Sequence, residues 1–311
     1  IAPTPVEAKI EVTAPIHSLV PPPAMVETTV EVRGLPLCLC TWGQPQHPLV
    51  LCLHGILEQG AVWQPIAETL AAQGYYVVAP DLRGHGRSAW VGAGGSYHLL
   101  DFLGDIDALV PLLGATLEGT DQPLTLVGHS MGSVIAALYA SIRPEKVRSL
   151  ILVETILPTE DSQGDTATQL STHLNYLTTP PQHTLLPDVV TAATRLRQAT
   201  PALSKDQAQF LAERITEPWD NGVRWRWDPL LRTRAGITFN NLPFSRDKYI
   251  QLVQTIQTPM TLIYGNQSTF NRNTDLTDQQ RAFPLARRIT LAGGHNVHLE
   301  QPEAVVQEIL G

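Results

Sequence analysis

The sequence predicts an α/β fold: a doubly wound, mostly parallel sheet with a helical cap, or lid, inserted over its carboxyl edge. Short apolar runs alternate with helical stretches between residues 49 and 153. One of these runs, 124–127, passes directly into Gly128-His129-Ser130-Met131-Gly132 and then into a helix. The alternation stops near residue 154 and resumes only at residue 260, leaving a long helical interval. Alternation at this spacing implies parallel strands joined by right-handed crossovers, and an insertion between two such strands covers the edge where these sheets bind ligands.

In chain order, residues 1–25 hold Pro3, Pro5, Pro15 and Pro21-Pro22-Pro23 among small and polar residues, the composition of an extended Pro-rich linker. The start at Ile1 fits a domain cut from a longer polypeptide or a trimmed terminus. Residues 26–154 form the first part of the sheet domain. There, 26–33 and 37–42 read as a hairpin turning at Gly34, 49–53 as a strand buried on both faces, 62–73 as a helix closed by Gly74, and 75–79 as a strand. A helix at 101–113, a strand at 124–127, a helix at 133–142 and a strand at 150–153 follow. Residues 155–257 form the cap, with helices near 187–199, 204–215 and 245–257 and no buried strand. Residues 258–311 complete the sheet domain, with strands at 260–264 and 289–291 and a last helix at 302–310.

At 311 residues, the chain is long enough to bury a sizeable core without staples. A formal charge of −8 disfavours nucleic acid and anionic membranes as partners. No apolar run reaches the length of a membrane span and no basic segment followed by an apolar stretch opens the chain, so a cytoplasmic protein is expected. Cys38, Cys40 and Cys52 lie in strand-like runs and lack the spacing of disulfides or zinc ligands. They read as reduced core residues, and no metal or cofactor is expected.

The strand entering Gly128-His129-Ser130-Met131-Gly132 is the context of a nucleophile elbow, the strand-to-helix turn of the α/β-hydrolase fold. The turn holds Ser130 out at the sheet edge, and the glycines two residues to either side let the backbone approach closely. A serine hydroxyl needs a base within hydrogen-bond reach. His295, in Gly293-Gly294-His295-Asn296-Val297-His298, follows the last strand directly after a glycine turn and is preferred to His298, which reads as a packed helix-start residue. The backbone N–H groups of Met131 and Ile56 are the expected oxyanion donors. His54 and His129 flank them and read as hydrogen-bonded scaffold.

The acid departs from the usual plan. In most enzymes of this fold it follows the strand that here ends at Tyr264, but the turn Gly265-Asn266-Gln267-Ser268-Thr269 holds no carboxylate. Glu154, at the carboxyl end of the preceding strand, is the expected partner of His295, ahead of Asp275, which would need a long excursion.

The segments Leu51-Cys52-Leu53-His54-Gly55-Ile56-Leu57-Glu58-Gln59-Gly60, Gly128-His129-Ser130-Met131-Gly132, Leu152-Val153-Glu154 and Gly294-His295-Asn296 together resemble the decarboxylating thioesterases of modular polyketide synthases, of the curacin-type and cyanobacterial olefin synthase lines. The resemblance runs from about residue 26 to the C-terminus and includes Gly222-Val223-Arg224-Trp225-Arg226-Trp227-Asp228. It implies an acyl carrier protein as partner, bearing a β-sulfated acyl chain, with a sulfotransferase domain upstream in the same polypeptide. Hydrolysis followed by loss of carbon dioxide and sulfate would leave a terminal alkene. It also implies that Ser130 carries the acyl group, that His295 activates serine and then water, that Glu154 orients His295, and that Arg234, Asn240 and Asn296 surround the sulfate and carboxylate. A guanidinium suits that task because it stays charged and offers a planar fork to an oxyanion.

Arg224, Arg226, Arg232 and Arg234 cluster in the cap. Asp228-Pro229 reads as a helix start and Gly236 as its end, so Arg232 and Arg234 are expected on one short helix, pointing about 200° apart. Only one would then enter the pocket: Arg234, with Arg224 as substitute. The same arginines also suit a solvated face or a docking patch for an acidic carrier protein, and two-fold pairing through the cap is compatible with the pattern. A free-standing carboxylesterase or carbon–carbon hydrolase, and a noncatalytic binding module of the same fold, remain as alternatives.

Overall fold

The computed structural model describes residues 24–92, 94–115, 122–157, 166–179, 181–232, 245–269 and 276–311. The linker read over residues 1–25 lies almost entirely outside them. The described residues open with β1 (Val26–Val32) and β2 (Leu35–Trp42), paired antiparallel through a turn at Arg33 and Gly34, whose φ angles of 51° and 76° suit a two-residue hairpin. β3 (Leu49–Leu53), helix α1 (Gln64–Ala72), β4 (Tyr76–Pro80), α2 (Leu99–Ala115), β5 (Leu124–His129), α3 (Met131–Ile142) and β6 (Val147–Val153) follow. An inserted segment comes next, before β9 (Met260–Gly265) and β10 (Arg287–Leu291).

These strands form an eight-stranded sheet of order β1-β2-β4-β3-β5-β6-β9-β10. From β4 to β10 every pairing is parallel. The runs of β3, β4 and β5 are buried at every position because both faces of the sheet are covered. Alternate residues feed two cores. Leu51, Leu53, Val78, Leu126, Leu150 and Leu262 pack with residues of α2 and α3 on one face. Val50, Cys52, Val77, Val127, Ile151 and Ile263 pack on the other with Ile66 and Leu70 of α1 and with Val305 and Ile309 of the C-terminal helix Pro302–Leu310. The three cysteines are buried and free.

The inserted segment holds α4 (Thr166–Thr178), α5 (Val189–Ala199), α6 (Lys205–Ile215) and, contrary to the all-helical expectation, an antiparallel pair, β7 (Thr216–Trp219) and β8 (Gly222–Trp225). The pair closes through Asp220 and Asn221, with Asp220 at φ 47°, a turn whose Asp-Asn-Gly chemistry was present in the sequence. Of the short helix expected to carry Arg232 and Arg234, the described residues show a 3-10 turn, Pro229–Arg232, opened by Asp228 Oδ1 accepting the Leu230 N–H. Arg234 lies outside the described residues. α4 and the helix Leu276–Ala282 were not foreseen.

The insertion rests on the loops at the carboxyl ends of the strands. Gln59, after β3, donates to the Leu211 carbonyl on α6; Trp90 and Tyr97, after β4, donate to the Arg226 carbonyl and to Asp228; Asn296, after β10, donates to Thr200. Among the described residues no helix is long and apolar enough to cross a membrane. Leu126→Ala, at a fully buried position of β5, is expected to lower the unfolding free energy by about 2–5 kcal/mol, measured by denaturant titration. An unchanged midpoint would mean that this face of the sheet is not packed as described.

Candidate active site

Ser130 sits between the last residue of β5 and the first of α3 with φ 50° and ψ −117°. A non-glycine residue held there stores strain on the order of 1–3 kcal/mol, which the surroundings must offset. Part of the offset is visible: Ser130 N–H donates to the Val153 carbonyl at 3.0 Å, tying the elbow to β6. Glycine is required on both sides. A Cβ on Gly128 would stand 2.5 Å from the Gly132 carbonyl oxygen, and one on Gly132 would stand 2.2 Å from that of Leu53. That second contact presses the start of α3 against the loop carrying Ile56. The N–H of Met131, first in its helix, has no acceptor within the helix.

Ser130 Oγ and His295 Nε2 lie 3.0 Å apart. His295 Nδ1 lies 3.0 Å from Glu154 Oε2. A carboxylate only accepts, so Nδ1 carries the proton and Nε2 presents its lone pair to the serine hydroxyl. Glu154 is fully buried. Its φ is 51°, and its N–H donates to the Ile263 carbonyl of β9 at 2.8 Å, which fixes the backbone at the end of β6. Burying a carboxylate is unfavourable unless it is hydrogen-bonded. Gly265 N–H donates to Oε1 at 2.6 Å and Ser268 Oγ donates to Oε2 at 2.5 Å, so the turn after β9 furnishes donors where it lacks an acid. Ser268 is a contributor that sequence reading missed: the turn was singled out for holding no carboxylate, and nothing in the sequence marks its hydroxyl as a donor to Glu154.

The remaining candidates divide. Asp275, Arg234 and Asn240 lie outside the described residues. Asn296, next to His295, donates to Thr200 Oγ1 at 2.5 Å and so links the base loop to the insertion. Arg224 is on β8, bonded to Glu217 at 2.6 and 2.7 Å and stacked 3.5 Å from the Trp219 ring, with the Trp90 ring beyond. An anion at Arg224 would therefore compete with a paired carboxylate. His298 is buried in the helical turn Val297–Glu300 with its ring against that of His129, and neither of its nitrogens has a hydrogen-bond partner among the described residues. His54 accepts the Leu82 N–H at Nε2 and donates from Nδ1 to the Gly55 carbonyl; burial lowers its pKa, so it stays a neutral structural group.

The arrangement can remove a proton from Ser130, hold the resulting imidazolium against a buried carboxylate, and return the proton to a leaving group. It is the chemistry of acyl transfer.

Comparison with known proteins agrees. Residues 48–302 match the family described as the alpha/beta hydrolase fold. The chain is 26% identical over 291 residues to a serine hydrolase-like protein of Danio rerio, covering 88% of this chain and 82% of that one. Among solved structures, the thioesterase domain from the curacin biosynthetic pathway superposes with a TM-score of 0.86 at 50% identity, over 93% of this chain and all of that domain. The hypothetical protein PA1622 from Pseudomonas aeruginosa PAO1 follows the same fold at 26% identity and TM-score 0.74, over 91% of this chain and 96% of that one. With its sheet order, its serine elbow and a family match spanning both halves of the sheet, the chain belongs to the α/β-hydrolase family.

Proposed function

We propose that the chain is a serine thioesterase that releases a β-sulfated acyl chain from an acyl carrier protein, the released acid then losing carbon dioxide and sulfate to give a terminal alkene. The observation that carries this reading is the placement of the acid: Glu154 comes from the end of β6 and is held by the acid-free turn after β9. The 50% identity to the curacin-pathway thioesterase domain supports it.

In this reading His295 takes the hydroxyl proton as Ser130 Oγ attacks the thioester carbonyl, and Met131 and Ile56 N–H groups receive the developing oxyanion. The carbon–sulfur bond breaks, the proton passes to the carrier thiolate, and the acyl group rests on Ser130. Water, deprotonated by His295, then displaces it as the free acid. In the β-sulfated carboxylate, the bond to the carboxyl carbon supplies the electron pair of the new double bond while the β-carbon–oxygen pair leaves with sulfate, so carbon dioxide, sulfate and alkene account for every atom. Arg234, Asn240 and Asn296 are the proposed sulfate and carboxylate ligands. Because a site built around a charged group is penalised when that group is left unpaired, a plain β-hydroxyacyl chain should be a poorer substrate.

Side-by-side turnover of β-sulfated and β-hydroxy acyl thioesters on carrier protein is expected to favour the sulfate and to yield alkene by gas chromatography. Equal turnover without alkene would leave a general ester or thioester hydrolase. A second expectation concerns the acid: Ser268→Ala, which removes one donor from a buried carboxylate, should lower the unfolding free energy by about 1–3 kcal/mol and reduce kcat, whereas unchanged values would mean that Glu154 does not depend on this turn.

A further inference from the structure

Beneath the serine–imidazole contact lies a second acid–histidine couple that the reaction above does not use. Glu58 is on the loop after β3, and its Oε2 accepts the Gly55 N–H at 2.6 Å while lying 3.0 Å from His129 Nδ1. His129, adjacent to Ser130, donates from Nε2 to the His295 carbonyl at 2.8 Å. Since a carbonyl only accepts, Nε2 is protonated; since Nδ1 faces a carboxylate, a further proton is shared there. The couple is an imidazolium–carboxylate pair. Burial opposes the charge on His129, but the neighbouring Glu58 carboxylate outweighs it, and the imidazole pKa is raised. Burial likewise opposes the charge on Glu58, and the facing His129 outweighs it, so that carboxyl is held below its ordinary range.

The surroundings are built for this state. A Cβ on Gly55 would stand 2.9 Å from both Glu58 Oε2 and His129 Nδ1, so the loop fits closely around the pair. His298, kept neutral by burial, lays its ring 4.1 Å from that of His129. Glu58, His129 and His298 bring ligand-type atoms within 4.8 Å of one another, but both His129 nitrogens already face oxygen acceptors and neither His298 nitrogen has a hydrogen-bond partner among the described residues, so the hydrogen-bonded couple is Glu58 and His129. His54, His85, His298 and Glu154 are the other ionisable groups that interact with the pair, and the His295 ring lies 4.9 Å from that of His129.

We propose that Glu58 and His129 are positioning residues for the proposed reaction, joining the oxyanion loop, the serine elbow and the backbone of the catalytic imidazole into one unit. The proposal rests on the Ser130–His295–Glu154 reading. His295 is thereby held at both ends, by Glu154 through its ring and by His129 through its carbonyl. Through linkage, the Glu58 share of the pair's stability is present above the ordinary carboxyl value near 4.5 and lost as pH falls through the lowered one. The His129 share is fully present below 6.5 and lost as pH rises through the raised value.

The test uses the full chain with p-nitrophenyl acetate and a fluorophosphonate probe, comparing Glu58→Gln, Glu58→Asp, His129→Gln and Ser130→Ala, with circular dichroism and melting curves to establish folding. A displacement of about 1 Å at a reacting group lowers rate by roughly a hundredfold, so the Gln variants are expected to lose about ten- to a hundredfold in kcat and in Ser130 labelling rate, with KM within about twofold. Glu58→Asp should recover part of the loss. In His129→Gln the unpaired Glu58 charge favours protonated His295, so the acid limb of the rate profile should move to higher pH, which a fold defect alone would not produce. Folded Gln variants with wild-type kcat and an unmoved acid limb would overturn the proposal, while an inactive Ser130→Ala would leave the triad standing. An active Ser130→Ala would overturn both.

Discussion

The buried carboxylate of Glu154 is the constraint on which the carboxyl edge of the sheet depends. A charge taken out of water needs donors in fixed places, and three elements supply them: the end of β9, the turn that follows it, and the imidazole after β10. The same geometry sets the backbone. Ser130 and Glu154 both adopt positive φ, and each is pinned by an N–H bond to the next strand over, Ser130 to Val153 and Glu154 to Ile263. Strain at the two residues is thus carried by the parallel ladder β5-β6-β9, not by the loops.

Moving the acid from one strand end to its neighbour changes what each loop must do. The turn after β9, relieved of a carboxylate, becomes a donor platform through the Gly265 N–H and the Ser268 hydroxyl. Gly265 is irreplaceable there, since a Cβ would come within 2.4 Å of the Gly293 carbonyl oxygen in the base loop. Close packing of that turn against the His295 loop is what allows a glutamate one strand away to reach the imidazole.

Much of this was legible in the sequence, for physical reasons that differ by element. The central strands are continuous apolar runs because both faces are covered, and Leu49–Leu53 and Leu124–His129 show it at every residue. The elbow was readable from two glycines whose Cβ atoms would have no room. Glu154 was found by elimination, since the turn directly after Tyr264 holds no carboxylate and Asp275 would need a long excursion. The insertion was harder. β7 and β8 are four residues each, include Pro218 and Arg224, and are only half-buried, so neither run length nor alternation marked them. Ser268 and Glu58 were invisible as contributors because a hydroxyl or carboxylate reveals its partner only once distant loops meet. Arg224 was read as one of a cluster of cap arginines and the substitute for Arg234, with no sign of its partner Glu217, seven residues earlier, which the hairpin brings opposite it.

The most direct measurement is steady-state hydrolysis by Glu154→Gln. The amide keeps the shape but removes the charge that orients and stabilises the imidazolium, and loss of the acid in a related triad lowers kcat by about 10⁴. The account predicts a drop of about three to four orders of magnitude in a variant that remains folded. A folded Glu154→Gln protein turning over within a few-fold of the parent would contradict it.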